Sequence, residues 1–134
     1  MEFTKSENEY NMFDWWKKVV IDNYFNFEGR ARRSEYWYFT LVNLIILLGI
    51  YAIGAIGILA ELEIILILTG IVMFAFAILL IIPSISVAIR RLHDTNKSGW
   101  WYLIGLIPLG GIVLLVFYCT DGDYSTNEYG EPTK

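Results

Sequence analysis

The chain of 134 residues has one cysteine, one histidine and three prolines. A lone Cys119 excludes an intrachain disulfide and any cysteine-based metal cluster. Charge is also scarce, at 18% of residues, and three long stretches carry none: Tyr36 to Ala60 (25 residues), Ile64 to Ile89 (26) and Trp100 to Thr120 (21). The opening "MEFTKSENEYNMFDWW" begins with acids and lacks an apolar stretch before a small-residue cleavage site, so no cleavable signal peptide is expected.

What is abundant is apolar. Hydrophobic residues make up 56% of the chain, against about 45–50% in a soluble domain, and the mean hydropathy is +0.49. A helix needs ~20 apolar residues at 1.5 Å each to cross a ~30 Å hydrocarbon layer. All three uncharged runs meet that length. The expected fold is therefore an all-α integral membrane protein with an interfacial amphipathic N-terminal helix and three transmembrane helices. Pro83 and Pro108 are the kink points expected in the second and third. Residues 1–35 form an N-terminal segment, 36–120 a membrane domain with a polar elbow at 90–99, and 121–134 an acidic, loosely ordered tail.

Within the first segment, Phe13, Trp16, Val20 and Tyr24 share one helical face, with Asp14–Lys18 and Lys18–Asp22 as i,i+4 pairs. Tryptophan and lysine together suit a helix lying in the headgroup layer, although packing against a soluble partner gives the same pattern. Trp15, Trp16, Trp37, Trp100 and Trp101 are the expected interfacial anchors. The "ELE" turn, Glu61 to Glu63, allows only a tight helical hairpin.

Basic residues give the orientation. Lys5, Lys17, Lys18, Arg30, Arg32 and Arg33 precede the first span, none lies in the "ELE" turn, and Arg90, Arg91 and Lys97 lie in the elbow. The tail has Lys134 against Asp121, Asp123, Glu128 and Glu131. Three full crossings put the N-terminus and elbow in the cytoplasm and the tail outside. Pro108, Gly110 and Gly111 interrupt the third run, and a re-entrant hairpin there would return the tail to the cytoplasm.

The segments "GRARRSEYWYF", "RRLHDTNKSGWW", "LIPLGGIVLLVF" and the closing "N-x-YG-x-P" together resemble domain-of-unknown-function family 805, the small YhaH-like membrane proteins of bacteria. The resemblance covers about Phe25 to Pro132. It implies a multi-pass protein of the bacterial cytoplasmic (inner) membrane and no defined reaction.

Three readings of the "RRLHD" elbow compete. As an enzyme site it has His93 beside Asp94, but adjacent helical residues point about 100° apart and no nucleophile motif accompanies them. Neither a metal site nor a cofactor is expected. As a transport path it lacks ionisable residues inside the spans, which leaves a small oligomeric transporter or channel around the broken third run as the alternative. As a binding surface it gathers Arg30, Arg32, Arg33, Arg90, Arg91, His93, Asp94 and Lys97 at one headgroup level, suited to anionic lipid or a partner protein. The same arginines also serve simply to hold topology. Asp94 is expected to pair with Arg90, Glu35 with an arginine across the bundle, and Arg33 to stack on Trp37. With its cations next to lipid and an acidic pI near 4.9, the chain is not expected to bind nucleic acid.

Overall fold

The computed structural model describes residues 5–133; Lys134 and residues 1–4, part of the polar N-terminal stretch, lie outside the described residues. A turn at Glu7–Glu9 leads into α1 (Met12–Lys17), which runs on as a π-helical turn, Lys18–Asp22. Two long helices follow, α2 (Arg33–Leu59) and α3 (Glu63–Asp94), then a 3₁₀ helix (Gly99–Leu106) and α4 (Gly110–Cys119).

Among the described residues, α2 and α3 are the two helices long and apolar enough to cross a membrane. The "ELE" turn joins them through a Schellman motif: Leu62 N–H donates to Gly57 O (2.9 Å) and Glu61 N–H to Ile58 O (3.2 Å), with Glu61 left-handed at φ 55°. Two of the glycines of α2, Gly54 and Gly57, serve this hairpin. A Cβ on Gly57 would lie 2.8 Å from Ile65 Cγ2, and one on Gly54 would lie 3.1 Å from Thr69 Cγ2. Small side chains thus bring the two helices together.

Burial is distributed unlike that of a soluble protein. Leu48, Leu59 and Phe74 are outward and exposed, while Pro83, Val87, Leu92 and the polar residues around them are buried. An apolar surface of that extent belongs in lipid. At 32 residues, α3 is about 48 Å long, so its last turns stand clear of a ~30 Å hydrocarbon layer. The core sits at that end: Val19, Ala31, Phe39 and Val87 form one cluster, and Ala88, Leu92, Leu114 and Tyr118 another.

The N-terminal segment is docked onto the bundle by side chains assigned from sequence to its lipid face. Asn11 caps α1, accepting from Asp14 N–H at 2.9 Å. Trp16 Nε1 donates to Asn43 Oδ1 (2.8 Å) and Tyr24 Oη to Leu79 O (2.7 Å). Trp15, expected as an interfacial anchor, is buried with Val19, and the outward apolar side chains include Met12, Phe13, Ile21, Phe25 and Phe27. The two i,i+4 pairs are not formed. Lys18 reaches Glu7 (2.7 Å) and Glu35 (3.2 Å), and Asp14 takes Lys5 (3.2 Å). Partners from outside the helix win because the helix is packed against them.

The Tyr24 bond has a local cause. Pro83 has no N–H, so the Leu79 carbonyl four residues earlier lacks its helical donor, and the Tyr24 hydroxyl supplies one. Tyr24→Phe is expected to cost about 0.5–1.5 kcal/mol. In a Pro83→Ala background, where the backbone donor returns, that cost should vanish in a double-mutant thermal-unfolding cycle.

The third apolar run does not form a single helix. Its 3₁₀ half spans about 16 Å and α4 about 15 Å, each half the hydrocarbon thickness. Between them Leu109 is left-handed (φ 68°) and the chain reverses. The turn is so tight that a Cβ on Gly110 would lie 1.6 Å from the Ile104 carbonyl oxygen. Leu106, Ile107 and Leu109 are exposed at the tip, and Trp100 and Trp101 are exposed at the base. Of the three expected crossings, two are thus matched by helices long enough to span; the third run is a helical hairpin and is not confirmed as transmembrane. The tail packs against the end of the molecule that holds the N-terminal segment and the elbow.

Candidate functional site

The elbow begins as a helix stop. Thr95 closes α3 and Asn96 adopts φ 57°. Asn96 N–H then donates to His93 O (3.0 Å) and Lys97 N–H to Leu92 O (2.9 Å), a second Schellman motif. Ser98 caps the following helix, accepting from Trp100 N–H at 3.3 Å. "DTNKS" is therefore stop-and-start chemistry, and the charged residues before it face inward.

Asp94 is the hub and is 2% exposed. Its Oδ1 accepts from Arg30 Nε (2.9 Å) and Thr133 Oγ1 (3.2 Å), its Oδ2 from Arg91 Nη1 (2.8 Å), and its backbone oxygen from Asp123 N–H (2.8 Å). The expected Asp94–Arg90 pair is not made. Arg91, three residues back, takes Asp94, while Arg90 points to the other side of α3 and pairs with Glu35. Glu35 is fully buried, and its second oxygen faces Lys18 Nζ at 3.2 Å. Burial pushes the Lys18 ammonium down, but Glu35 and Glu7 more than offset that and leave it above the ordinary lysine value. Arg90 Nε and Nη2 are buried without a hydrogen-bond partner among the described residues.

Two arginines fasten the rest of the chain. Arg30 places all five of its N–H donors, on Asp94 Oδ1 and on the backbone oxygens of Asp94, Asp123 (2.6 Å), Ser125 (3.0 Å) and Gly130 (3.2 Å). Arg91 donates to the oxygens of Tyr118 (3.1 Å) and Thr120, satisfying carbonyls left open where α4 ends. Trp37 Nε1 adds a bond to Tyr118 O at 3.3 Å. Arg33 turns to Asp121 (3.3 Å) and Cys119 O (3.4 Å) rather than stacking on Trp37.

His93 is 8% exposed. Its Nδ1 sits 2.9 Å from Gly29 O, so that nitrogen carries the hydrogen. Its ring stacks on Tyr129 with centroids 3.9 Å apart and planes 1° apart, and Asn127 Nδ2 donates to His93 O at 3.0 Å. Burial pushes the imidazole below the ordinary histidine value, with Arg90 adding to that and the Gly29 bond opposing it. The neutral ring is the one the fold prefers. Its contribution to stability is present above the unfolded value near pH 6.5 and is lost as the pH falls through and below it. The tail's amide protection factors, with the intrinsic slowing of exchange at low pH divided out, should therefore be lower at pH 5 than at pH 7.5, and His93→Gln should flatten that dependence.

The expected basic surface thus separates into two sets. Arg30, Arg90, Arg91, His93 and Asp94 are interior. Arg32 is half-buried, bonded to Glu7 (3.2 Å) and to Thr133 O; Arg33 is exposed; Lys97 lies over the Phe117 ring at 4.6 Å. The residues that sequence reasoning missed are in the tail. Instead of hanging loose, it folds back with Gly122 against Asp94, where a Cβ would lie 1.9 Å from Oδ2. Asn127, Tyr129 and Gly130, from the closing "N-x-YG-x-P", all dock on Arg30 or His93. That motif was the available signal, and only the folded chain shows that it meets Arg30 and His93. Among the described residues, no group of three or more His, Cys, Asp or Glu is placed to hold a metal ion.

Comparison with known proteins agrees with the segments that meet here. The family model described as "Protein of unknown function (DUF805)" matches residues 24–131. The inner membrane protein YhaI of Escherichia coli K12 is 43% identical over 124 residues, covering 89% of this chain and 95% of its own. The inner membrane protein YhaH of the same organism is 39% identical over 131 residues, covering 90% and 97%. No solved structure matches the chain.

Proposed function

The chain belongs to the DUF805 family of small bacterial inner-membrane proteins, and from that premise we propose that it is a membrane-surface binding protein whose cytoplasmic rim holds anionic lipid headgroups. The observation that carries this reading is the N-terminal segment. Phe13, Ile21 and Phe25 are exposed there beside the exposed Lys17, with Arg33 also outward. Apolar side chains set among cations suit a surface that dips into a negatively charged headgroup layer. Each such cation contributes about 1 kcal/mol near an anionic leaflet. Each interior arginine already meets a buried carboxylate, Asp94 or Glu35, and together they hold the rim in shape. In this reading both termini are cytoplasmic. The transport alternative gains no support, since no Asp, Glu, Lys, Arg or His lines the cavities between α2, α3 and the hairpin.

Native mass spectrometry of gently released protein tests the proposal. Lys17→Gln with Arg33→Gln should strip retained anionic lipid while leaving thermal stability near wild type; unchanged retention would sink the idea. For the topology, a Glu128→Cys probe in a Cys119→Ser background should react with an impermeant maleimide in inverted vesicles and stay protected in spheroplasts.

A further inference from the structure

A second site lies in the membrane-level part of the molecule and is independent of the basic rim. Two adjoining cavities of about 420 and 480 Å³ open between α2, α3 and the re-entrant hairpin. Asn43, Ser84 and Tyr102 line both, so the two are continuous. Each is of the size that holds a small ligand, roughly 300–1,000 Å³. The polar end adds the side chains of Tyr36, Thr40 and Tyr118, whereas the other end is walled by Leu47, Met73, Phe76 and Leu80.

Three features define what fits. The first is depth. Asn43 and Ser84 each lie ten residues from the charged level at Arg33 and Asp94, about 15 Å along their helices. The second is chemistry. Trp16 occupies Asn43 Oδ1, and the Asn43 amide N–H₂, the Ser84 hydroxyl and the Tyr102 hydroxyl make no hydrogen bond to another described residue. Donors left without acceptors at membrane depth are costly, and an acceptor oxygen from the bilayer would satisfy them. The third is charge. A phosphodiester at this depth would meet no cation, because none lines the groove and the arginines stand well above it.

From this geometry we infer that the groove binds an uncharged lipid whose head carries carbonyl or hydroxyl oxygens, an isoprenoid quinone or a diacylglycerol. The head oxygen sits among Asn43, Ser84 and Tyr102. The hydrocarbon tail runs away from the charged end along Leu47, Met73 and Phe76.

The test is native mass spectrometry of the full chain in detergent, titrated separately with a short-chain isoprenoid quinone, dioctanoylglycerol and dioctanoyl phosphatidylglycerol. One of the two neutral probes should give a saturable one-to-one adduct at least tenfold tighter than the anionic probe, and which of them does so identifies the head. Tyr102→Phe and Ser84→Ala should each weaken that adduct about tenfold, and Ala77→Phe, which fills the apolar end, should remove it. Equal or tighter binding of phosphatidylglycerol overturns the inference, as does no saturable adduct with either neutral probe. Unchanged binding in Tyr102→Phe and Ser84→Ala does so too. If Ala77→Phe does not fold, those two smaller changes decide alone.

Discussion

Asp94→Ala is expected to release the tail and loosen the whole charged end, at about 3–5 kcal/mol. Arg30 and Arg91 are both buried, and Asp94 is the carboxylate that each of them meets. Removing one partner of a buried pair leaves the other charge uncompensated, which costs far more than the net worth of the pair. Here two guanidinium groups lose their counter-charge together. Asp94→Asn keeps the shape and the backbone bond from Asp123 but loses the charge, so it should fall between wild type and alanine. The readouts are the thermal unfolding midpoint in detergent and the rate of proteolysis near Ser125. Arg32→Gln is the contrast. Its partner Glu7 is partly exposed, and pairs of that kind are worth roughly 0–1 kcal/mol. If Asp94→Ala melted no earlier than Arg32→Gln, the buried network would not be what closes this end.

Gly110→Ala is expected to be the most damaging single-methyl change in the chain. The added Cβ would sit 1.6 Å from the Ile104 carbonyl oxygen, a backbone atom with no rotamer to escape into. The hairpin must open to admit it, at or above the top of the roughly 1–3 kcal/mol range for overpacking. The neighbouring glycine supplies the control. Nothing lies within 4 Å of a Cβ on Gly111, and that residue is in α4 with no left-handed φ. Gly111→Ala should be neutral or stabilise by about 0.5–1 kcal/mol, because alanine loses less backbone entropy in a helix. Unfolding midpoints of the two variants, identical in composition and one position apart, should move in opposite directions or differ by several degrees. Equal midpoints would mean that the Leu109–Gly110 turn is not a rigid part of the fold.

The charged end also explains why its sequence motifs are so far apart along the chain. "GRARRSE", "RRLHD" and "N-x-YG-x-P" supply one network in which Arg30, Asp94 and Gly130 meet directly. Arg30 lies 64 residues from Asp94 and 100 from Gly130. Ordering contacts that distant carries a substantial loop-closure cost, and buried charge-assisted bonds are strong enough to offset it.

The amino-acid sequence by itself determined the membrane helices α2 and α3, the tight turn at Glu61 and the gathering of arginines at one level. Each of these follows from composition and local spacing: an uncharged run of sufficient length must be helical in lipid, since its backbone has no other way to satisfy its hydrogen bonds. The tertiary structure decided the rest. Arg30 bonds chiefly to backbone oxygens of the tail, and every residue carries such an oxygen, so no side-chain pattern announces the docking. Asp94 meets Arg91 and Arg30 rather than Arg90 because the rotation of α3 sends Arg90 to Glu35. The third apolar run is long enough to cross, yet Leu109 in a left-handed conformation and the contact of Gly110 with Ile104 turn it back. Hydropathy measures how much of a segment prefers lipid, and it is blind to a reversal of direction set by one backbone angle.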